Sequence, residues 1–163
     1  MENGANNDVV LRNVIEGDLP LFFEHQLDPI ANQMAAFTAK NPADREAFEK
    51  KWSKIRVDSQ ITIKTILVGG HIAGHVACFG PTGQQDVTYW LGKEFWGKGI
   101  ATKALAEFPN LVTARPLFAR AAKDNLASIR VLEKCGFAIA GYDKFFANAR
   151  GKEIDEVIFQ LIQ

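Results

Sequence analysis

The sequence predicts a mixed α/β (α+β) fold in which helices flank a mostly antiparallel sheet. Between residues 61 and 91, segments rich in β-branched side chains follow one another with only short turns between them, as in an antiparallel meander. A helix and a lone strand come next, and this strand–helix–strand step inside a mainly antiparallel sheet indicates a mixed α/β layer fold. The 163 residues suffice for one domain, since domains contain about 150 residues.

The first third of the chain is predicted to contain a strand at residues 9–14 and two helices. Asp18 suits the N-cap of a helix of about nine residues, because its carboxylate can accept free backbone N–H groups. A second helix is predicted to begin near Asn41, with Pro42 in the first helical position. The apolar side chains of this second helix recur at helical spacing and are predicted to be core; they are Phe48, Trp52 and Ile55.

Three strands are predicted at residues 61–68, 72–79 and 86–91. The first two form a hairpin, because Gly69-Gly70 can adopt the positive φ angles that a tight turn needs. The rest of the chain alternates helices and strands, with Pro109 and Gly136 as helix ends. Its predicted elements are a helix at 99–108, a strand at 117–122, a helix at 125–135, and a strand pair at 138–146 and 153–161.

Composition excludes several classes of protein. Nineteen basic and nineteen acidic residues cancel, so nothing indicates a nucleic-acid binder. No apolar run reaches the length of a membrane span, and the polar start lacks the features of a signal peptide. Cys78 and Cys135 belong to no metal or redox motif and are predicted to be reduced and buried. We expect a cytoplasmic protein with a disordered tail at residues 1–7 and one domain at residues 8–163.

A glycine-rich segment between residues 89 and 102 carries the first functional signal. A strand is followed by a glycine-rich turn that contains Gly97 and Gly99, and a helix begins directly after it. The first N–H groups of such a helix are suited to bind a phosphate or pyrophosphate. A P-loop is disfavoured, because Gly99 stands where Ser or Thr should bind Mg²⁺. The dinucleotide pattern also fails, since its third glycine is replaced by Thr102 and the preceding meander is antiparallel.

The segment Trp96-Gly97-Lys98-Gly99-Ile100-Ala101 resembles the Gln/Arg-x-x-Gly-x-Gly/Ala loop of the GNAT superfamily of N-acetyltransferases. Trp96 departs from that pattern and costs one basic contact. The variant with Trp at this position is similar to the Rim-type branch, which contains ribosomal-protein N-terminal acetyltransferases.

A second segment, residues 125–137, resembles the family's Asn-x-x-Ser-x-x-x-Leu-Glu-Lys-x-Gly-Phe helix. Asn125 and Ser128 share one face of this helix and can both face a cleft. Each residue also has a purely structural explanation, Asn125 as an N-cap and Ser128 as a small packing residue. The resemblance follows the element order over residues 8–162 and is specific for residues 88–137.

The resemblance implies the GNAT fold, with acetyl-CoA bound where the strands at 86–91 and 117–122 diverge. No metal is implied. The implied cofactor-binding residues are Tyr89, Trp90, Leu91, Trp96, Gly97, Lys98, Gly99, Ile100, Ala101, Thr102, Asn125 and Ser128.

The resemblance also implies a catalytic arrangement. The backbone N–H of Leu91 would bind the thioester carbonyl oxygen, and such a donor contributes about 3 kcal/mol to transition-state stabilisation. Many family members protonate the leaving thiolate with a tyrosine, but Leu132 occupies that position, so Ser128 is the predicted substitute. The base is left open between Glu24, His75 and the four predicted substrate-binding residues, His25, Gln26, Asn32 and Asp143.

The predicted function is direct transfer of acetyl from acetyl-CoA to a primary amine, either of a peptide N-terminus or of a small molecule. A non-catalytic acyl-CoA-binding or sensing module is the alternative, because the motif tyrosine is missing. Acetyl-CoA and the amine are the expected partners, without nucleic acid or membrane. The chain is expected to act as a monomer or homodimer, since an exposed end strand could pair between subunits.

Overall fold

The computed structural model describes residues 8–163, and the predicted tail at residues 1–7 lies outside this range. Within the described residues, seven strands form one sheet in the order β1-β2-β3-β4-β5-β7-β6, and β4–β5 is the one parallel pair. The strands are β1 (Val9–Asn13), β2 (Thr62–Val68), β3 (His71–Phe79), β4 (Gln85–Leu91), β5 (Leu117–Ala122), β6 (Ala138–Ala147) and β7 (Lys152–Leu161). The predicted mixed, mostly antiparallel sheet is confirmed.

Five α-helices accompany the sheet in the described part of the chain: α1 (Leu19–Gln26), α2 (Pro29–Ala35), α3 (Arg45–Val57), α4 (Ile100–Glu107) and α5 (Leu126–Lys134). The two faces of the sheet carry different helices. Val76 packs with α4 and α5 in the main core, whereas the neighbouring His75 contacts Phe22 of α1 and Trp52 of α3. Because successive strand residues point to opposite faces, α1 and α3 cover one face and α4 and α5 the other.

Most predicted elements agree with the structure. Gly69 and Gly70 have φ angles of 56° and 83°, as the predicted hairpin requires. Gly136 ends α5 with φ 90°, and α4 ends before Pro109, which lies in a short 3₁₀ turn. Among residues 8–163, no helix is long and apolar enough to cross a membrane.

The prediction for the second helix was wrong at its start. The Asn41 side chain accepts the N–H of Ala43 at 3.1 Å and forms a local turn instead of a helix cap. Asp44 is the cap, with its carboxylate on the N–H of Ala47 at 3.0 Å, so α3 begins three residues after Pro42. The short helix α2, capped by Asp28, was not predicted.

Asp18 precedes α1, but its side chain does not cap that helix, which corrects a second prediction. The carboxylate is 1% exposed and binds the Arg12 guanidinium through two hydrogen bonds of 2.7 and 2.8 Å. It also accepts the Thr65 hydroxyl at 2.6 Å and the Ile15 N–H at 3.0 Å. A charged guanidinium is a stronger partner for a buried carboxylate than the helix N–H groups, so tertiary structure overrides the cap.

We expect Asp18→Asn to lower the free energy of unfolding by about 3 kcal/mol at pH 7, because it leaves a partly buried cation without its partner. Burial alone would raise the pKa of Asp18, but the bonds from Arg12, Thr65 and Ile15 hold it below its usual value. The stabilisation is therefore complete above the unfolded pKa of about 3.9 and is lost as the pH falls through the lower folded pKa.

Urea denaturation from pH 7 to pH 2 measures this effect. The wild type should lose more stability on acidification than the variant. Asp58→Asn, at an exposed turn carboxylate, is the matched control and should behave as wild type. Equal stability of Asp18→Asn and Asp58→Asn at pH 7 would contradict the assignment.

Candidate active site

The strands β4 and β5 begin side by side and then separate. They pair in register only at Gln85 with Leu117 and at Asp86 with Phe118. Beyond this point β4 continues along β3 as far as Leu91, while β5 continues along β7 over its whole length. A gap therefore opens between the carboxyl-terminal halves of β4 and β5, as predicted.

Backbone groups of β4 are turned toward this gap. The N–H of Gly92 donates to the carbonyl of Ala73 at 2.8 Å, and hydrogen-bonded and non-bonded pairs alternate along antiparallel strands. The N–H groups of Leu91 and Tyr89 consequently point away from β3. The Leu91 carbonyl also points away from β3, because it accepts the indole N–H of Trp96 at 3.1 Å. The predicted donor to the thioester carbonyl thus faces the gap.

The loop that follows β4 closes one end of the gap. Gly97 and Gly99 have φ angles of 74° and 76°, and no atom lies within 4 Å of the position of a Cβ at either residue. The first helical bond of α4 runs from the Lys103 N–H to the Gly99 carbonyl at 3.1 Å, so the N–H groups of residues 100–102 have no helical partner. Ile100 is buried and anchors this turn. The arrangement provides donors and a positive dipole end for an anion.

The indole group of Trp96 has a structural role in the loop. The side chain is half-buried, and its bond to the Leu91 carbonyl ties the loop to the end of β4. Lys98 is exposed between the two glycines and supplies positive charge at the loop, while Ala101 and Thr102 are half-buried on the first turn of α4. A structural tie thus occupies the position where the related loop carries Gln or Arg.

Two hydroxyl groups meet across the gap. The Tyr89 hydroxyl on β4 donates to the Ser128 hydroxyl on α5 at 3.1 Å. Burial raises the pKa of Tyr89 although the bond to Ser128 lowers it, so the phenol is protonated at neutral pH. Asn125 caps α5, with its side-chain oxygen on the Ser128 N–H at 3.3 Å. Leu132 is 2% exposed in the core and contributes no polar group.

Trp90 lies on the opposite face of the sheet from Tyr89. Its register partner is His75, and the Trp90 Nε1 and His75 Nδ1 atoms are both buried without a hydrogen-bond partner. Ring centroids of Phe22 and Trp52 lie 4.8 and 5.0 Å from the His75 ring. Burial, reinforced by the charges of nearby basic groups, lowers the pKa of His75 to about 3. His75 is therefore neutral at physiological pH and cannot hold a proton taken from an amine.

His25 approaches the end of β4 from the last turn of α1. A Cβ at Gly92 would lie 2.7 Å from the His25 Nε2 atom, so the glycine permits this contact. The imidazole is 8% exposed, and its Nδ1 atom is buried without a partner. Burial lowers the pKa of His25, and the charges of Glu94 and Glu24 oppose that shift. The histidine is thus mainly neutral near pH 7 and able to accept a proton.

A cluster of charged side chains spans β4 to β7. Arg120 lies 3.0 Å from Glu156, 3.6 Å from Asp86 and 4.0 Å from Asp143. Asp86 precedes Trp90 by four strand positions and therefore projects from the same face. Burial raises the pKa values of Asp86 and Glu156 despite the neighbouring guanidinium. Three carboxyl groups thus share one cation on this face.

Comparison with known proteins identifies the family. A family model described as an acetyltransferase (GNAT) domain matches residues 8–138, most of the chain. The chain belongs to the GNAT acetyltransferase family. The predicted family and the predicted GNAT fold are confirmed.

Individual relatives agree with this assignment. An uncharacterized N-acetyltransferase p20 from Bacillus licheniformis is 30% identical over 86 residues, which are 50% of this chain and 48% of the relative. The match therefore spans about half the length of that curated relative.

Two solved structures share the GNAT fold with this chain. The ribosomal L7/L12 alpha-N-protein acetyltransferase RimL, in complex with coenzyme A, has a TM-score of 0.82 at 19% identity. The alignment covers 97% of this chain and 96% of RimL. Spermidine N-acetyltransferase from Vibrio cholerae, in complex with CoA and spermine, has a TM-score of 0.79 at 18% identity and 95% coverage of both chains.

The GNAT structure brings the predicted cofactor-binding residues to the gap and its loop, apart from the Trp90 side chain, which faces away from α4 and α5. The side chains of Gln26 and Asn32 bind backbone carbonyls. The Gln26 amide donates to the Pro42 carbonyl at 2.8 Å, and the Asn32 amide donates to the carbonyls of Gln26 and Asp28 at 2.6 and 2.9 Å. Both amides thus tether the helical segment, and their contact with a substrate stays a prediction.

Sequence reasoning missed most of the charged cluster around Arg120. It named Asp143 but not Asp86, Arg120 or Glu156. One local signal was present, because Arg120 interrupts the run of alanines in β5. Among residues 8–163, no group of His, Cys, Asp and Glu side chains could hold a metal ion.

Proposed function

We propose that this chain is an acetyl-CoA-dependent N-acetyltransferase that transfers acetyl directly to a primary amine. One observation carries the proposal: the gap between β4 and β5 opens onto the Gly97 and Gly99 loop and the free N–H groups of α4. An extended arm that ends in a pyrophosphate fits a slot lined by strand backbone and closed by a helix start.

The cofactor would lie along this slot. Its pyrophosphate would accept the N–H groups of residues 97–102, with Lys98 beside it. The pantetheine arm would form hydrogen bonds with the backbone of residues 89–91. The N–H groups of Tyr89 and Leu91 point toward the gap. Asn125 would contact this arm through its amide nitrogen, because its side-chain oxygen caps α5.

Acetyl transfer would proceed without a covalent enzyme intermediate. The N–H of Leu91 would stabilise the negative charge on the thioester oxygen, and Ser128 would act on the leaving sulfur. Neither cysteine offers a competing nucleophile. Burial raises the pKa of Cys78 to about 11, and burial also raises the pKa of Cys135, so neither thiol ionises readily near pH 7.

The acceptor would approach from the face that carries Trp90. An α-amine has a pKa of about 8 and a lysine amine about 10.4, so the amine must lose a proton before it attacks. His25 is the proposed proton acceptor on this face. The charged cluster on this face has three carboxyl groups and one guanidinium, those of Asp86, Asp143, Glu156 and Arg120. This excess of acidic groups supports an acceptor that arrives as an ammonium ion. Both a peptide N-terminus and a small amine meet this condition.

We further propose that residues 8–163 act as one domain in the cytoplasm, as a monomer or homodimer. The exposed end strand β6, which could pair between subunits, supports the homodimer.

Titration with acetyl-CoA, CoA and ATP–Mg²⁺, followed by calorimetry and melting temperature, tests the cofactor. A ligand at 100 times its Kd should stabilise the protein by about 2.7 kcal/mol. We expect this response from both CoA species and none from ATP. No response to either CoA species would refute the proposal, and a response to ATP would favour a nucleotide-binding module.

An amine panel separates catalysis from simple binding. We expect thiol release from acetyl-CoA with a short peptide that has a free α-amine or with spermidine. CoA binding without thiol release from any amine would favour the non-catalytic acyl-CoA-binding module.

A further inference from the structure

We infer that Tyr89 and Ser128 form a proton relay to the sulfur of CoA, in which Ser128 protonates the departing thiolate and Tyr89 reprotonates Ser128. This inference rests on the proposed function and assigns a chemical role to the Tyr89 side chain, which sequence analysis placed only among the cofactor-binding residues.

The geometry joins two independent elements across the gap. Tyr89 projects from β4, where its own backbone faces the gap, and its hydroxyl lies 3.1 Å from the Ser128 hydroxyl on α5. The Ser128 backbone N–H donates to the side-chain oxygen of Asn125, and this bond fixes the first turn of α5. Because the Tyr89 hydroxyl donates to the Ser128 oxygen, the Ser128 proton is free to point at a third atom.

Chemistry favours the pair over Ser128 alone. A serine that gives up its proton becomes an alkoxide, which is a much stronger base than a thiolate. A phenol has an ordinary pKa of about 10, closer to that of a thiol at about 8.5. Burial raises the pKa of Tyr89, but its phenolate is still a much weaker base than a serine alkoxide. With Tyr89 as second donor, the negative charge passes to a phenolate and no alkoxide is left.

Other side chains near the pair do not offer this proton. Leu132 is buried in the core. Cys135, the C-cap of α5, is a titratable group that acts on Tyr89. Its thiol donates to the Thr102 carbonyl at 3.4 Å, and burial raises its pKa. Among the described residues, the Tyr89 hydroxyl is the group hydrogen-bonded to the Ser128 hydroxyl.

The steps balance without another reactant. The amine nitrogen bonds to the acetyl carbon, and the carbon–sulfur bond then breaks with its electron pair on sulfur. Sulfur takes the Ser128 proton, and Ser128 takes the Tyr89 proton. The phenolate regains a proton from solvent, and His25 releases to solvent the proton that it took from the amine. The net products are an amide and the CoA thiol.

Titration of the CoA thiol in the complex tests the relay without any acceptor amine. Ultraviolet absorbance of the thiolate should show that the thiol bound to wild type has a pKa about one unit below that of free CoA, because the Ser128 hydroxyl, hydrogen-bonded by Tyr89, stabilises its anion. Tyr89→Phe, which keeps the ring, and Ser128→Ala should both return this pKa toward the free value. Tyr142→Phe makes the same change at an exposed tyrosine on β6 and should leave it lowered.

Kinetics supply the second readout. Each of Tyr89→Phe and Ser128→Ala should lower kcat about a hundredfold with KM for acetyl-CoA within about twofold of wild type. The double variant should be no slower than the slower single variant, because the two residues act as one unit. A residue that only packs would instead change CoA affinity or melting temperature.

The outcomes separate the two proposals. Failure of wild type to bind CoA refutes the proposed function and the relay with it. Normal CoA binding with the same thiol pKa in wild type and Tyr89→Phe overturns the relay alone. Additive losses of kcat in the double variant would also overturn it.

Discussion

Replacing Gly99 with valine is expected to lower the affinity for CoA about a hundredfold, or about 2.8 kcal/mol. Gly99 has φ 76°, a conformation that costs a β-branched residue about 1–2 kcal/mol. The space above it holds no protein atom within 4 Å, so a new side chain would occupy the place proposed for the pyrophosphate. The free N–H groups of α4 would also be turned away from the ligand. Calorimetric titration with CoA measures the change.

Gly83→Val is the matched control for this prediction. Gly83 has φ 86° and equally open surroundings, but it lies in the turn between β3 and β4, away from the loop. Both variants should lose roughly 5 °C in melting temperature, because both place valine in the left-handed region. Only Gly99→Val should lose CoA affinity. Equal CoA affinities in the two variants would refute the assignment of the loop.

The loop and α5 could be predicted from the sequence because their geometry is local. Gly97 and Gly99 adopt positive φ for reasons contained within a few residues. Asn125 caps α5 through the N–H of Ser128, three residues along the chain. These short-range constraints also carried the resemblance to the GNAT family, which the family match confirmed.

The N-terminal third was predicted less well because distant residues decide its side-chain bonds. Asp18 resembles a cap, yet it binds Thr65, which is 47 positions away, and Arg12 on β1. Asn41 and Asp44 are both good caps, and the sequence favoured Asn41, but Asp44 caps α3 and Asn41 forms a local turn. No cap rule accounts for the bonds of Asp18, because they depend on which partners the folded chain brings near.

The side-chain pairs of the candidate site depend on register in the same way. Tyr89 and Ser128 are 39 residues apart, and nothing in either local pattern indicates that their hydroxyls meet. Arg120 gathers carboxylates from β4, β6 and β7, an arrangement fixed by the strand order β4-β5-β7-β6. The local geometry of the glycine loop was therefore predictable, whereas the side-chain pairs between distant elements were not.

Replacing Gly74 with alanine is expected to lower the free energy of unfolding by about 3 kcal/mol and the melting temperature by about 10 °C. Gly74 lies within β3 opposite Leu91. A Cβ there would collide with the Trp90 carbonyl oxygen and lie 2.9 Å from the Trp90 carbonyl carbon. Because these are backbone atoms, β4 itself would have to move. Thermal and urea denaturation measure the loss.

The same displacement should reach the cofactor site, because the end of β4 carries the Leu91 N–H into the gap. The Gly74→Ala protein should therefore bind CoA more weakly even at temperatures where it is folded. Gly141→Ala makes the same change within β6, where no atom lies within 4 Å of a new Cβ, and should match wild type in both measurements. If Gly74→Ala melted within about 2 °C of Gly141→Ala, β4 would tolerate the shift, and the close approach of β3 to β4 would not position the gap.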